Sequence, residues 1–410
     1  MSGNYAPAES AKSKKQGMKH MMKQARTVRI FAFLLTLAAF GMIGVAALSR
    51  NSTFAQRAAN NEPNSPGAVY AMTNDPTNNQ VMVFNRDADG ILTPAGSFPT
   101  GGQGSGNFEG SAGGLILTAQ SPDNLGGGNR YLFATNAGSN DISVFVVRKD
   151  GLTLVNRVSS GGQQPVSVTY RKKLLYVLNQ TSGNIVGFYV GAQGELTPIP
   201  GSSRPVTGGG AADTAQVGFN KQGDVLVVTG KNTSIIDTYV VDKNGLANGP
   251  IPNPSSGITP FGATFTQRGQ LIVTEGFMAT QGNGAASSYE VRDDGVLVPI
   301  SATVRNNRSD TCWVVITDNQ KYAYVSNAMS GDISSYRIEP DGTLVLLQSI
   351  AGTSGFVSID NALSTNSRFL YVRSFSDGRI SSYEVQEDGS LTPIQTFVGL
   401  PPGAIGLAAR

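Results

Sequence analysis

The chain has 410 residues, 40% of them hydrophobic, which is enough to bury a large core, and its 50 glycines and 20 prolines are typical of a turn-rich β protein. Its formal charge of +3 is unevenly distributed, since residues 1–55 hold eight basic side chains against one acidic one and the remainder carries about −4. The body of the chain therefore lacks the basic surface that nucleic-acid binding requires, and its single cysteine, Cys312, excludes an intrachain disulfide.

The N-terminal segment has the pattern of a membrane-targeting sequence. A basic region precedes residues 30–48, IFAFLLTLAAFGMIGVAAL, which carry no charge and are just long enough to span a bilayer as a helix. Thr53, Phe54 and Ala55 offer a cleavage point before Gln56. We expect residues 1–55 to be a cleaved signal peptide or a retained anchor, residues 56–67 to be a linker, and the body to lie outside the cytoplasm, secreted or periplasmic.

A repeat of about 49 residues runs through residues 68–410. DISSYRIEPDGTL at 332–344 returns as RISSYEVQEDGSL at 379–391, and in seven places an aromatic residue precedes a glycine by six positions. The pairs are Phe84 and Gly90, Phe145 and Gly151, Phe188 and Gly194, Tyr239 and Gly245, Tyr289 and Gly295, Tyr336 and Gly342, and Tyr383 and Gly389. The Asp-Gly and Asn-Gly steps at most of these glycines predict a tight hairpin between two strands.

Two further strands precede each hairpin in the predicted repeat. The second strand is represented by VYAMTN, LFATN, LLYVLN, VLVVTG, LIVTEG, YAYVSN and FLYVRS, whereas a leading strand is found only six times, as GLILTAQ, PVSVTY, AQVGF, FGATF, CWVVIT and FVSID. The missing leading strand is supplied by GAIGLAA at 403–409, which would complete the first sheet and leave no open edge.

Seven four-stranded units with ends that meet predict an all-β, seven-bladed β-propeller over residues 68–410, closed by the C-terminal strand. A two-sheet sandwich is the alternative, but it would not need seven matching quartets. In a propeller the Asp-Gly hairpins share one face, so we interpret their acids as turn formers. The opposite face carries four long loops that we expect to line a funnel, at residues 99–111, 201–213, 253–260 and 304–310.

The repeat also identifies residues that depart from it. At the end of the second strand the aligned residues are Asn74, Asn136, Asn179, Gly230, Glu275, Asn327 and Ser374. One position earlier they are Thr73, Thr135, Leu178, Thr229, Thr274, Ser326 and Arg373. Glu275 and Arg373 are thus the two charged exceptions, at the funnel end of their strands. Charges there indicate either structural ion pairs or a site for an anionic ligand.

We predict that Glu275 acts as a catalytic base with Arg305 and Arg308, and that Arg373 and Glu109 bind substrate. The alternative is that these charges form structural ion pairs or lie solvated in loops. The only histidine, His20, precedes the hydrophobic segment, so a histidine base or histidine metal cluster is excluded from the body. We expect no metal, no cofactor, a small-molecule ligand in the funnel, membrane contact only through the N-terminal segment, and a monomer. Cys312, within an apolar run, is interpreted as a buried core residue.

The phrases YLFATNAGSNDISVF, PVSVTYRKKLLYVLN, CWVVITDNQKYAYVSNAMSGDISSYRIEPDGTL and FLYVRSFSDGRISSYEVQEDGSLTPI carry a family resemblance. They resemble the seven-bladed propeller lactonases, which include phosphogluconolactonase-type and carboxymuconate-lactonizing proteins, and in particular their exported bacterial branch. The resemblance implies opening or closing of a lactone ring by a histidine with arginine and glutamate in the funnel. This sequence departs from it, because Tyr170 and Arg171 stand near the position where relatives often carry that histidine.

Two hypotheses follow. The first is a lactonase-like hydrolase or cycloisomerase acting on a lactone or a carboxylate-bearing small molecule. The second is a non-catalytic extracytoplasmic propeller that binds a ligand or a protein, because a fold does not determine function.

Overall fold

The predicted repeat folds into seven antiparallel sheets arranged as the blades of a propeller. The computed structural model describes residues 67–118, 130–401 and 403–410. Residues 1–66, and with them the predicted targeting segment and linker, lie outside the described residues. No helix within the described part of the chain is long and apolar enough to cross a membrane.

The strands follow the chain in blade order. Blade one contains β1 (Gly67–Met72), β2 (Gln80–Arg86) and β3 (Leu92–Pro99), and blade two contains β4 (Leu115–Leu117), β5 (Tyr131–Asn136), β6 (Asp141–Arg148) and β7 (Gly151–Ser159). Blade three contains β8 (Pro165–Arg171), β9 (Leu174–Asn179), β10 (Asn184–Val190), β11 (Leu196–Pro198) and β12 (Arg204–Pro205). Blade four contains β13 (Thr214–Phe219), β14 (Val225–Gly230), β15 (Ile235–Val241) and β16 (Ala247–Pro254).

Blade five contains β17 (Pro260–Phe265), β18 (Leu271–Glu275), β19 (Ala285–Val291) and β20 (Leu297–Arg305). Blade six contains β21 (Thr311–Ile316), β22 (Tyr322–Asn327), β23 (Asp332–Ile338) and β24 (Leu344–Thr353). Blade seven contains β25 (Ser358–Leu363), β26 (Phe369–Ser374), β27 (Arg379–Val385) and β28 (Leu391–Val398), and the last strand is β29 (Ile405–Ala409). Two short 3-10 helices lie at Gly209–Ala212 and Phe277–Ala279.

The last strand closes the ring as predicted. β29 pairs antiparallel with β1, so that Val69 lies opposite Ala409 and Met72 opposite Ile405. It occupies the innermost position of blade one, the place that β4, β8, β13, β17, β21 and β25 occupy in the other blades. Closure pairs the free edge of the first blade and so joins the two ends of the described fold.

Where the repeated aromatic residue is a tyrosine, in blades four to seven, its hydroxyl joins the blade to the one before it. Tyr336 of β23 is fully buried and its hydroxyl donates to the carbonyl of Val304 in blade five, at 2.9 Å. Tyr239 of β15 makes the same bond to Pro205 of blade three, at 2.8 Å. A phenol fits this position because it fills the apolar space between sheets while its hydroxyl reaches a hydrogen-bond acceptor.

The Asp-Gly hairpins are structural, as predicted. Six of the seven turn glycines have φ between +77° and +91°, a conformation that glycine adopts without strain. The side chain of Asp341 accepts a hydrogen bond from the Thr343 amide, and that of Asp388 accepts one from the Ser390 amide, both at 2.9 Å. These acids therefore hold turns on the lower face, which is the name used below for the hairpin side of the ring.

Two details differ from the prediction. In blade three, the outer position is shared by β11 and β12, which both pair with β10, so this sheet has five strands. In blade one, Met72 pairs with Val81, which places Thr73 rather than Asn74 at the position equivalent to Asn136. The repeated Thr-Asn step conceals this shift of one residue in the sequence alignment.

Candidate active site

The loop from blade one to blade two crosses the upper end of the ring, from blade one to blades four, six and seven, instead of only lining the mouth of the funnel. We call residues 105–112 of this loop the cap, and the face that carries it the upper face. The cap begins beside blade one, where the Ser105 amide donates to the Asn74 side chain at 2.8 Å. At its other end the amide of Ala112 donates to the carbonyl of Ala215, in the inner strand of blade four, at 3.0 Å.

Three further contacts fix the cap to distant blades. The Lys231 ammonium, in blade four, donates to the carbonyl of Gly110 at 2.6 Å, and the Trp313 indole, in the inner strand of blade six, donates to the carbonyl of Ser111 at 3.0 Å. The ring of Phe108 lies edge-on to Phe375 of blade seven, with centroids 5.1 Å apart. The cap thus covers the upper end of the ring, and its contacts span residues more than one hundred positions apart in sequence.

Glu109 is the acidic residue of the cap. Its side chain is buried, and neither carboxylate oxygen accepts a hydrogen bond of normal geometry from the described residues. Burial raises the pKa of Glu109 to about 7, and repulsion from Asp360 adds to the rise, while the nearby Ser105 hydroxyl lowers it. A carboxyl group with a pKa near 7 can both accept and return a proton at neutral pH.

Arg373 lies near the end of β26 in blade seven, two residues before Phe375, the ring partner of Phe108 in the cap. It is the largest fully buried side chain in the described fold, and none of its three guanidinium nitrogens has a hydrogen-bond partner among the described residues. Burial lowers the pKa of Arg373 to about 10, and attraction to Asp360 opposes that fall. The guanidinium is still charged at neutral pH, and it carries five donors suited to a carboxylate or an oxyanion.

Asp360 connects these two residues electrostatically. It stands at a bulge of β25 with φ +37°, one residue beyond Ile359, which pairs with Arg373. Its carboxylate accepts the amide of Gly406 in β29, at 2.7 Å. Burial raises the pKa of Asp360 to about 6 against the lowering effect of Arg373. Bulges redirect side chains, and here the bulge turns a carboxylate toward the closing strand of the ring.

A second buried cluster lies under the cap near blade six. The thiol of Cys312 donates to Asp310 at 3.2 Å, and Lys231, which binds the cap, attracts the Asp310 carboxylate and also pairs with Asp213 at 3.2 Å. Burial raises the pKa of Cys312 well above its ordinary value, with Asp310 adding to the rise. The thiol is therefore not activated, and the interpretation of Cys312 as a buried core residue is confirmed.

Glu275, predicted as the base, ends β18 and is completely buried between strands. One carboxylate oxygen accepts the amide of Gly257 at 2.8 Å and the hydroxyl of Ser287 at 2.5 Å, while the other has no partner in the described part of the chain. Burial raises the pKa of Glu275, and these hydrogen bonds and the charge of Arg305 oppose the rise. Its role as a base stays a prediction.

The two predicted catalytic arginines belong to separate local contacts. Arg305 donates to the backbone and side chain of Asn283, at 2.6 and 3.1 Å, and stacks over Phe277 with its guanidinium carbon 4.4 Å from the ring centre. Arg308 forms a short ion pair with Asp332 within blade six. The charge of Arg305 reaches Glu275, whereas Arg308 is engaged elsewhere.

The structure places Asp360 within electrostatic range of each of the two residues predicted to bind substrate, Glu109 and Arg373. The sequence did carry a signal for Asp360, because FVSID is the only one of the seven inner-strand segments that contains an acidic residue. No group of three or more histidine, cysteine, aspartate or glutamate side chains in residues 67–118, 130–401 and 403–410 is arranged to hold a metal ion.

A family model of seven-bladed β-propeller lactonases matches residues 124–212 and 276–403, which together make up more than half of the chain. Among solved structures, a Bacteroides uniformis protein provisionally named a 6-phosphogluconolactonase is 19% identical, with a TM-score of 0.62 over 85% of this chain and 100% of its own. The periplasmic gluconolactonase of Pseudomonas aeruginosa is 15% identical, with a TM-score of 0.61 over 83% of this chain and 99% of its own.

These similarities at low identity establish the fold, whereas the family model relates the sequence itself. No curated protein matches the chain. The blade count, the closing strand and the family match agree. The chain belongs to the family of seven-bladed β-propeller lactonases.

Proposed function

We propose that the protein hydrolyses a lactone at Glu109 and Arg373. The observation that carries the proposal is a buried glutamate in the cap and a buried arginine in blade seven, both within electrostatic range of Asp360 and each with side-chain polar atoms that make no hydrogen bond of normal geometry with the described residues. Burying such groups without partners is costly, so their retention favours a ligand that supplies the missing hydrogen bonds. The names given to the relatives in Bacteroides uniformis and Pseudomonas aeruginosa are consistent with lactone chemistry.

The proposed roles follow from charge and pKa. Arg373 donates to the lactone carbonyl oxygen and stabilises the negative charge that develops there during attack by water. Glu109, as the carboxylate, takes a proton from that water, and the new carbon–oxygen bond forms. When the ring carbon–oxygen bond breaks, Glu109 returns the proton to the departing ring oxygen. Asp360 positions Arg373 and partly neutralises its positive charge. This scheme replaces the histidine of the family with a glutamate of raised pKa.

Access requires the cap to move, because Glu109 and Arg373 are buried. Gly106 and Gly113 flank most of the cap with φ of +68° and +80°, which gives the loop backbone conformations that few other residues adopt. The only tryptophan of the chain, Trp313, donates to Ser111 of the cap. Its fluorescence therefore reports directly on the position of the cap.

The test uses the full-length chain and a panel of five- and six-membered lactones at several pH values. We expect hydrolysis that Glu109→Gln and Arg373→Met reduce by about 100-fold or more. Glu290→Gln and Arg292→Met make the same chemical changes at exposed positions and should leave the rate unchanged. Loss of activity in Glu275→Gln but not in Glu109→Gln would move the base to Glu275. No hydrolysis of any lactone would reject the proposal in favour of a binding propeller.

We also propose that the protein acts outside the cytoplasm as a monomer on a small molecule. The proposal is supported by the basic region and the uncharged residues 30–48 that follow it. Mass determination of the mature N-terminus tests it, since a chain starting at Gln56 indicates export with cleavage. A chain found intact in the cytoplasm would contradict it.

A further inference from the structure

Apolar side chains are exposed around the cap. Phe108 of the cap is 49% exposed, Phe356 in the loop between blades six and seven is 54% exposed, and Met329 in the loop between β22 and β23 is 45% exposed. Phe375, in the loop after β26, is the ring partner of Phe108, and its amide donates to the carbonyl of Val357, the residue after Phe356. We call these four residues the apolar rim. A cluster of this kind on a soluble protein commonly marks a binding surface.

The apolar rim adjoins the candidate active site. Phe108 directly precedes Glu109, and Phe375 follows Arg373 by two residues. The hydroxyls of Ser374 and Ser376 both donate to the carbonyl of Phe356, which ties that loop to the end of β26. A ligand that reaches Glu109 and Arg373 by displacing the cap therefore passes the rim.

The cations of the upper face other than Arg373 are already engaged. Arg373 is assigned to the lactone ring under the proposed function, and the other basic side chains on the described loops and loop-flanking strand ends of this face each have a partner in the protein. Arg157 donates to Asp141, Arg204 to two backbone carbonyls, Lys231 to Gly110 and Asp213, Arg305 to Asn283, Arg308 to Asp332, and Arg379 to Asp377. With the lactone ring held at Arg373, a phosphate group elsewhere on the ligand would need one of these pairs to break before it could receive a cationic donor.

We propose that the substrate is a lactone bearing an apolar alkyl or aryl substituent, which the apolar rim binds, and not a phosphorylated sugar lactone. This inference rests on the proposed function for the reaction itself. The polar ring would lie at Glu109 and Arg373, and the substituent would extend over Phe108, Phe356 and Met329. Transfer of each methylene from water to an apolar surface favours binding, so specificity should rise with chain length.

The kinetic test compares γ-butyrolactone, γ-hexalactone, γ-octalactone, γ-decalactone and 6-phosphogluconolactone on the full-length chain. We expect kcat/KM to rise by about twofold or more for each added methylene, with 6-phosphogluconolactone below γ-decalactone. Phe108→Ser and Phe356→Ser should lower the ratio of γ-decalactone to γ-butyrolactone kcat/KM, and Val398→Ser, a 66% exposed position at the end of blade seven's outer strand, should not change it. A flat dependence on chain length, or preference for the phosphorylated lactone, would overturn the inference.

A binding test separates this inference from the proposed reaction. Decanoate, butyrate and 6-phosphogluconate are titrated separately while the fluorescence of Trp313 is followed. Decanoate should bind at least about tenfold more tightly than butyrate, and Phe356→Ser should weaken it. If no lactone is hydrolysed but this binding pattern is found, the proposed function is wrong and the inference that the apolar rim binds an apolar ligand is supported. If 6-phosphogluconate binds more tightly than decanoate, or the Phe356 variant binds decanoate as well as the wild type, the inference is wrong.

Discussion

Arg373 and Asp360 form a buried charge pair in which the aspartate lies at a strand bulge, one residue beyond the direct cross-strand partner of the arginine. No hydrogen bond joins the two side chains among the described residues, yet each shifts the pKa of the other. Arg373 is therefore held near Asp360 by charge, while its donors remain free for another partner.

This pair should couple in stability. Removing one charge leaves the other buried without compensation, so Arg373→Met and Asp360→Asn should each lower the free energy of unfolding by about 3 kcal/mol. The double variant should be nearer to the wild type than either single variant, because both charges are gone. Urea denaturation of the four proteins measures the coupling. Strictly additive losses would show that the two residues do not interact.

The raised pKa of Glu109 predicts how stability varies with pH. The folded state keeps the Glu109 proton up to about pH 7, whereas the unfolded chain releases it near the ordinary pKa of 4.5. The contribution of Glu109 to the free energy of unfolding is therefore fully present below pH 4.5. Its contribution is lost as pH rises through about 7, with a size of about 3 kcal/mol. Glu109→Gln should therefore gain stability relative to the wild type between pH 4.5 and pH 7.5. If the variant and the wild type differed in unfolding free energy by the same amount at pH 4.5 and at pH 7.5, the buried placement of Glu109 would be contradicted.

Glu275 replaces a network that other blades build differently. In blade six, the Asn327 amide donates to Asp332 and Ser334, both at 2.8 Å. Asn327 and Asp332 are cross-strand partners, and the corresponding cross-strand partners in blade five are Glu275 and Ala285. The carboxylate has thus moved from the third strand to the second.

Glu275→Asn alone should lower the free energy of unfolding by about 1–3 kcal/mol, because Gly257 loses its acceptor. Adding Ala285→Asp should restore part of that loss by recreating the arrangement of blade six. Thermal unfolding of the two single variants and the double variant measures this. A double variant less stable than both singles would show that the blades are not interchangeable here. Because we place the base at Glu109, we expect Glu275→Gln to retain hydrolysis.

The contact of Lys231 with the cap can be tested without a substrate. Lys231→Met removes the donor to Gly110 and should increase the time that the cap spends open. Quenching of Trp313 fluorescence by acrylamide should then rise by about twofold or more, since each 0.4 kcal/mol shifts an equilibrium by about twofold. Lys172→Met, on an exposed lower-face loop, is the matched control. Equal quenching in both variants would mean that Lys231 does not hold the cap.

The sequence was sufficient to predict the propeller because each blade repeats the same local pattern of strand and turn residues. The tyrosines, the turn glycines and the closing strand are set by contacts within a blade or between neighbours, which a period of about 49 residues reveals. The site was only partly predictable. Arg373 was found because it breaks the repeat. The cap was not, because its contacts with Lys231 and Trp313 join residues far apart in sequence and depend on how a glycine-rich loop crosses the ring.

The most direct test of the account is the pH dependence of lactone hydrolysis by the wild type and by Glu109→Gln. The base must be deprotonated, so kcat/KM of the wild type should rise with pH and level off above about pH 7, the pKa of Glu109. The variant should be at least about 100-fold slower, and its kcat/KM should lack this rise with pH. A variant that keeps both the wild-type rate and the rise of kcat/KM up to about pH 7 would show that Glu109 is not the base.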